Sequence, residues 1–409
     1  MDGAADTSLT VSEGRLGGRI VALDALRGVA VAGIVWMNVI AFSMPAAAYV
    51  DPRAYGGLES LDIASWAAVF VLVEDKFRAL FAMLFGAGVT ILLDKTGPNR
   101  LGGHYARMAV LFLIGWLHAL LLANNDILRV YAVGGLVLPM LVHWRPRLLL
   151  WAAAGLIAAQ MAVAAWYYRE AISFWLAATD IPVLGLDRVL GMDADTIAAA
   201  LQRGQEGLGE RIQRRVAGEP DLTMRVMAGL PSSLAAMLIG IALWRTGLLR
   251  GDWKRERAIR LFYLTSIPAL IVLAAMALLV WVGGFDALVS FSISLIWSAP
   301  FDLLLAIGWA ALFMALFHHE GALTRLWAAA GRMALTNYLL TSLIFAALFA
   351  SWGLGLFGAV GRIEAYLLCL LPIAVMLFLS QLWLTLFRQG PTEWAWRCIA
   401  QLRLLPLRR

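Results

Sequence analysis

The feature that most constrains this chain is the recurrence of apolar stretches long enough to cross a bilayer. A helix rises about 1.5 Å per residue, so about 20 apolar residues cross a hydrocarbon core of about 30 Å. Such stretches fall near 28–46, 77–94, 105–123, 127–142, 148–168, 226–248, 261–282, 300–317, 326–351 and 365–387 of the 409 residues. No polar block between them is long enough to fold on its own. Composition agrees: 62% of residues are hydrophobic and 15% charged, against roughly 45–50% and 25% in soluble domains. The mean hydropathy over the whole chain is +0.78. The expected fold is an all-α polytopic membrane protein of about ten transmembrane helices. Its expected parts are a disordered cytoplasmic N-terminus (1–18), one transmembrane domain (19–400) with an extracytoplasmic loop (169–225), and a basic cytoplasmic tail (401–409).

Net charge is +6, from 33 Lys and Arg against 27 Asp and Glu. The basic residues gather in short loops between apolar stretches, where the positive-inside rule places them on the cytoplasmic side. With both termini inside, 21 of the 33 fall on inner segments, and seven of the remainder lie in the long loop 169–225. The expected location is a bacterial inner membrane, and this distribution calls for no nucleic-acid partner. Residues 1–18 lack the charged, apolar and small-residue order of a removable signal peptide. The two cysteines, Cys369 and Cys398, make no disulfide framework and no metal site.

Two apolar stretches are too long for one simple span. Residues 61–93 are interrupted by Glu74-Asp75-Lys76, and 288–317 by Pro300 with Asp302 following. Segments 61–76 and 288–300 are therefore expected to be broken or re-entrant, since irregular backbone at membrane depth must be satisfied by protein, water or ligand. The alternative is a tilted span joined to an interfacial amphipathic helix. One amphipathic helix is expected around 195–215, outside the bilayer.

Several polar residues are candidates for chemistry. Asp24 and Arg27 are spaced i and i+3 and can pair on one helix face. Asn38 sits among apolar neighbours and needs a hydrogen-bond partner, either as interhelical glue or at a site. His118 near the end of its span and Asp126 after the following turn can meet as an imidazole oriented by a carboxylate, the arrangement of a general base. Asp126 equally fits a helix N-cap. Glu74, Asp75 and Asp302 are intramembrane carboxylates and so candidates for substrate contact. The cluster Arg250, Lys254, Arg255 and Arg257 can attract the phosphates of coenzyme A or of anionic lipids, and the positive-inside rule explains it equally. Gly86 and Gly88 permit close helix packing. Walker, HExxH, GxSxG and Cys/His metal patterns are all missing.

The blocks Arg19-Ile20-Val21-Ala22-Leu23-Asp24-Ala25-Leu26-Arg27-Gly28 with Asn38, Phe81-Ala82-Met83-Leu84-Phe85-Gly86-Ala87-Gly88, and Ile114-Gly115-Trp116-Leu117-His118-Ala119 with Asp126 and Tyr131 resemble the YeiB-like bacterial membrane proteins. Two later blocks, Gly331-Arg332-Met333-Ala334-Leu335-Thr336-Asn337-Tyr338-Leu339 and Gly390-Pro391-Thr392-Glu393-Trp394-Ala395-Trp396-Arg397, carry the resemblance to about residue 400. The family is one of largely unknown function. The resemblance adds Arg332 and Asn337 to the candidate substrate contacts.

More distantly, the first block is similar to the opening of membrane acyltransferases of the heparan-glucosamine N-acetyltransferase and sugar O-acyltransferase types. That likeness implies transfer of an acyl group from cytoplasmic acyl-CoA, as co-substrate, to an extracytoplasmic small-molecule, glycan or lipid acceptor. Asn38 takes the position of a polar catalytic-site residue. No histidine lies between Asn38 and His104, whereas the glucosamine-acetylating relatives carry one shortly after the Asn, which leaves His118 as the base. The competing reading is a non-enzymatic carrier or binder of membrane lipid or another amphipathic molecule, with the broken segments and Asp302 lining its cavity. No metal is called for, and a homo-oligomer is compatible with either reading.

Overall fold

The computed structural model describes residues 15–16, 19–57, 59–96, 101–123, 126–169, 173, 192–319 and 321–409. Most of 1–18 and much of the loop 169–225 lie outside the described residues, and with them the expectation of a disordered N-terminus. A two-residue antiparallel pair, Arg15–Leu16 with Arg19–Ile20, precedes an otherwise helical chain. The helices are α1 (Val21–Ser43), α2 (Ser60–Leu72), α3 (Lys76–Thr96), α4 (Leu101–Leu121), α5 (Leu128–Leu141) and α6 (Pro146–Tyr167). After the loop come α7 (Ala194–Gly204), α8 (Leu208–Ala217), α9 (Glu219–Arg245), α10 (Arg255–Val282), α11 (Ala287–Ser292) and α12 (Ala299–Leu316). The chain ends with α13 (Ala322–Arg332), α14 (Ala334–Phe349), α15 (Arg362–Leu368), α16 (Leu370–Leu386) and α17 (Pro391–Gln401).

Among the described residues, eight helices are long and apolar enough to cross a membrane, nine if the bent pair α13–α14 counts as one span. The protein is an all-α polytopic membrane protein. The expected span at 127–142 is only the 14-residue α5, too short to cross alone. The apolar run 326–351 is not one straight span either, because the chain turns by 80° between α13 and α14. The first long stretch does break, at residues 73–75, yet α2 and α3 continue as one 36-residue span, Ser60–Lys95. Asp75 at the break has φ of 59°, a left-handed conformation that aspartate tolerates better than most residues. The second long stretch breaks at Ser298, where α11 and the π turn Ile293–Trp297 give way to α12 with its proline in the first turn. The amphipathic helix expected near 195–215 is two helices, α7 and α8, parted at residues 205–207.

Helix α1 is the centre of the bundle, with 83% of its span buried against 17% for α6. Small residues allow this. A Cβ on Gly28 of α1 would collide with the Trp327 carbonyl of α13, and one on Gly331 of α13 with the Asp24 carbonyl of α1. The crossing of α3 and α9 is built alike, Gly86 facing the Met237 backbone and Gly240 the Met83 backbone, while Gly88 faces nothing within 4 Å. These are the close approaches that glycine permits between membrane helices. Gly33, midway along α1, leaves room for the Phe77 ring at the start of α3. The break before α3 is therefore level with the middle of α1, deep in the bundle.

Candidate functional site

Helix ends inside a membrane leave backbone donors and acceptors that must find partners. Two charged clusters form where α3, α12 and α5 begin. In the first, Lys76 Nζ lies 2.7 Å from Asp302 Oδ1, with both side chains buried. Lys76 also donates to the Phe70 carbonyl at the open end of α2, and its ammonium lies 5.0 Å from the centre of the Phe70 ring. Beside this pair, Arg78 Nε meets Asp75 Oδ1 at 2.8 Å, each about 30% exposed. Glu74 turns away into a small cavity of about 10 Å³ shared with Tyr49, Arg362 and Tyr366. That volume is about the size of one water molecule. The Arg362 guanidinium, buried, donates to the Ala48 carbonyl and to the Tyr366 hydroxyl.

In the second cluster, His118 Nδ1 lies 2.8 Å from Asp126 Oδ1, both buried completely enough to exclude solvent. The other Asp126 oxygen accepts from the Arg129 N–H at 3.0 Å, so the same carboxylate caps the start of α5 and orients the imidazole. The Tyr338 hydroxyl also reaches Asp126, and its ring centre is 5.0 Å from that of His118. Among the described residues, His118 Nε2 is buried with no hydrogen-bond partner. Gly115 makes this arrangement sterically feasible: a side chain there would strike Asp126 Oδ2 and the Arg129 backbone. The Arg129 guanidinium reaches Glu219 at 3.4 Å. Tyr131 ties the two clusters together by donating to the Arg78 carbonyl at 2.9 Å.

A lateral cavity of about 680 Å³ opens beside the first cluster. Asp75, Arg78 and Asp302 line one end, and Ala82, Leu156, Val163 and Leu303 belong to its apolar walls. It is bounded by α3, α6, α9, the π turn after α11, and α12. Residues of both broken segments thus meet in one place. Because α6 forms a wall and is so little buried, the cavity lies at the side of the bundle.

The remaining candidates sit elsewhere. Asp24 and Arg27 form the expected pair, Nη1 to Oδ1 at 2.7 Å. Asn38 is buried on α1 and is not among the residues lining either cavity named so far. Arg332 donates to the Arg388 carbonyl at 3.0 Å. Asn337 donates to the Ala330 carbonyl and to Ser380 Oγ, both at 2.9 Å, which fastens the bend between α13 and α14 to α16. Arg250 pairs with Asp252 at 2.8 Å and Arg257 stacks over Trp253 at 3.7 Å. Together with Lys254 and Arg255 they are exposed on the α9–α10 turn. Among the described residues no three His, Cys, Asp or Glu side chains converge as a metal site.

Residues 243–403 match the family described as a protein of unknown function (DUF418). The uncharacterized protein YeiB of Escherichia coli (strain K12) is 36% identical over 395 residues, covering 93% of this chain and 95% of that protein. The chain belongs to the YeiB family. A second member, the uncharacterized YxaH of Bacillus subtilis (strain 168), is 28% identical over 418 residues, covering 95% of this chain and 96% of its own. An uncharacterized 39.9 kDa protein from the amylase 3′ region of Bacillus acidopullulyticus is 23% identical over 395 residues. No solved structure matches.

In this YeiB-family chain two of the blocks that carry the resemblance are a single structural joint. Glu393, in the first turn of α17, accepts from the Leu335 and Thr336 N–H groups at 2.8 and 3.1 Å and caps α14 from outside its own helix. Burial pushes the Glu393 carboxyl up from its ordinary range. Sequence reasoning missed this cap, as it missed the partners Lys76, Arg78, Arg129, Tyr131 and Tyr338. Lys76 carried a sequence signal as part of the charged interruption at 74–76, and Tyr131, Tyr338 and Glu393 lie in the blocks that carry the family resemblance.

Proposed function

We propose that the protein binds a membrane lipid or similar amphipathic molecule in the lateral cavity, as a carrier or receptor rather than as an enzyme. The observation that carries this reading is the cavity's polarity: a charged end at Asp75, Arg78 and Asp302, and apolar walls beyond it. Its volume of about 680 Å³ falls in the range of about 300–1,000 Å³ common to small-molecule sites. The polar head would meet the Arg78 guanidinium and the carboxylates, with the chain lying along Ala82, Leu156 and Val163. In this reading the protein sits in a bacterial inner membrane.

Native mass spectrometry with added dioleoyl phosphatidylethanolamine tests the proposal. The wild type is expected to retain lipid, Ala82→Trp/Val163→Trp to exclude it by filling the walls, and Arg78→Gln to weaken it. Equal retention by the filled variant would overturn the assignment to this cavity.

The His118–Asp126 pair favours a second reading, acyl transfer. With Nδ1–H donating to Asp126, Nε2 keeps its lone pair and would take the proton of an acceptor hydroxyl as its oxygen bonds to the acyl carbon. The thioester C–S bond then breaks, and coenzyme A leaves as the thiol, with Asn38 donating to the carbonyl oxygen and Arg250, Lys254, Arg255 and Arg257 holding the donor's phosphates. Here His118→Ala should lower the transfer of radiolabelled acetyl groups from acetyl-CoA to membrane acceptors by about 10²–10⁴-fold. Transfer that survives this substitution in monodisperse protein would remove His118 from the chemistry.

A further inference from the structure

Helices α7 and α8 lie across one end of the bundle, and the pocket beneath them is lined by four arginines. Contacts from Arg215, Ser351 and Gly204 hold them. Arg215 Nη1 donates to the carbonyls of Ala119 and Leu120 at 3.1 and 3.0 Å, satisfying the open end of α4. Ser351 Oγ donates to the Glu206 carbonyl at 2.5 Å. Gly204 admits the Phe357 ring edge-on, where any side chain would collide with it.

The pocket has a volume of about 600 Å³ and brings together Arg203, Arg211, Arg214 and Arg215. Phe42, Phe349 and Phe357 give it an apolar floor. Glu206, outside the lining, is committed to Arg214 through contacts of 2.9, 2.9 and 2.8 Å. Arg215 is committed to the α4 carbonyls. Arg203 and Arg211 have no acidic partner within ion-pair distance among the described residues. Crowding is felt in the group energetics: burial, with Arg211 and Arg214 nearby, pushes the Arg215 guanidinium down to about 10, and burial also lowers Arg211. A concave site lined by four arginines and an aromatic floor is arranged for an anion with an apolar part.

We infer that this pocket binds a phosphate group carried on an apolar body, with Arg203 and Arg211 forking onto the phosphate oxygens and the phenylalanines receiving the remainder. The site is separate from the lateral cavity, shares none of its lining residues, and stands whichever reading of that cavity holds. The phosphate can come from a lipid headgroup or from a soluble organophosphate.

The test uses the full chain in nanodiscs. Phosphatidic acid is incorporated into the disc in one arm, and phenyl phosphate is titrated calorimetrically in the other. Saturable binding in either arm is expected to weaken at least tenfold in Arg203→Gln/Arg211→Gln. It should stay unchanged in Arg403→Gln/Arg409→Gln, which removes the same charge from the C-terminal tail. Binding of phosphatidic acid alone identifies the lipid source, and binding of both identifies the phosphate as sufficient. Equal affinity in the two double variants, or no saturable binding of either probe by the wild type, overturns the inference.

Discussion

Replacing Asp302 with alanine is expected to destabilise the protein by about 3–5 kcal/mol, because the Lys76 ammonium then remains buried without its counter-charge. Lys76 is 1% exposed and Asp302 5%, so little water reaches the ammonium when the carboxylate is gone. The carbonyl of Phe70 still accepts from the ammonium but brings no negative charge. Replacing both partners, Lys76→Met with Asp302→Leu, removes the uncompensated charge and is expected to restore most of the loss. Thermal unfolding in detergent, followed by static light scattering, reads the cycle. A midpoint for Asp302→Ala equal to that of the wild type would show that the pair is not isolated from water. The double variant also divides two roles of Asp302, since it should be stable and yet lack the carboxylate at the charged end of the lateral cavity.

The second large effect is expected at Gly331. A methyl group there meets the Asp24 carbonyl of α1, and a backbone atom in a buried helix has no rotamer by which to yield. Overpacking that side chains can absorb costs about 1–3 kcal/mol. Here α13 must instead move away from the helix that fills the centre of the bundle. Gly331→Ala, and likewise Gly28→Ala, should therefore lose the monodisperse peak on size exclusion. Gly88→Ala, with nothing within 4 Å, should elute as the wild type does. If Gly331→Ala also elutes normally, α1 and α13 do not pack as tightly as described.

The spans are legible in the sequence because apolar length is a local property, and the charged interruptions at 74–76 and 300–302 mark helix breaks for the same reason. What binds distant segments is not local. Lys76 and Asp302 each stand out as charges in apolar surroundings, but nothing near either one names the other. His118, Asp126 and Arg129 are close in sequence, so their meeting is readable from spacing alone, whereas Tyr338 beside them is not. The bend at Met333 falls in an apolar run with no proline. Its cause is the cap that Glu393 places on α14 from a segment nearly sixty residues later. The pocket arginines are hidden differently: Arg203, Arg211, Arg214 and Arg215 read as the solvated face of an amphipathic helix until α7 and α8 fold over the bundle end.

The central position of α1 also governs the order in which the chain can assemble. Its principal partner α13 begins about 280 residues after α1 ends, which at roughly 5–20 residues per second is a wait of about 15–60 s. During synthesis a helix carrying Asp24, Arg27 and Asn38 leaves the ribosome well before its neighbour exists. Lipid cannot cover those groups, so the nascent chain must keep α1 at the insertion machinery, or shield it with α3, until the last fifth of the protein arrives. Truncations before residue 322 would then yield an orphaned first helix, a natural signal for membrane quality-control proteolysis.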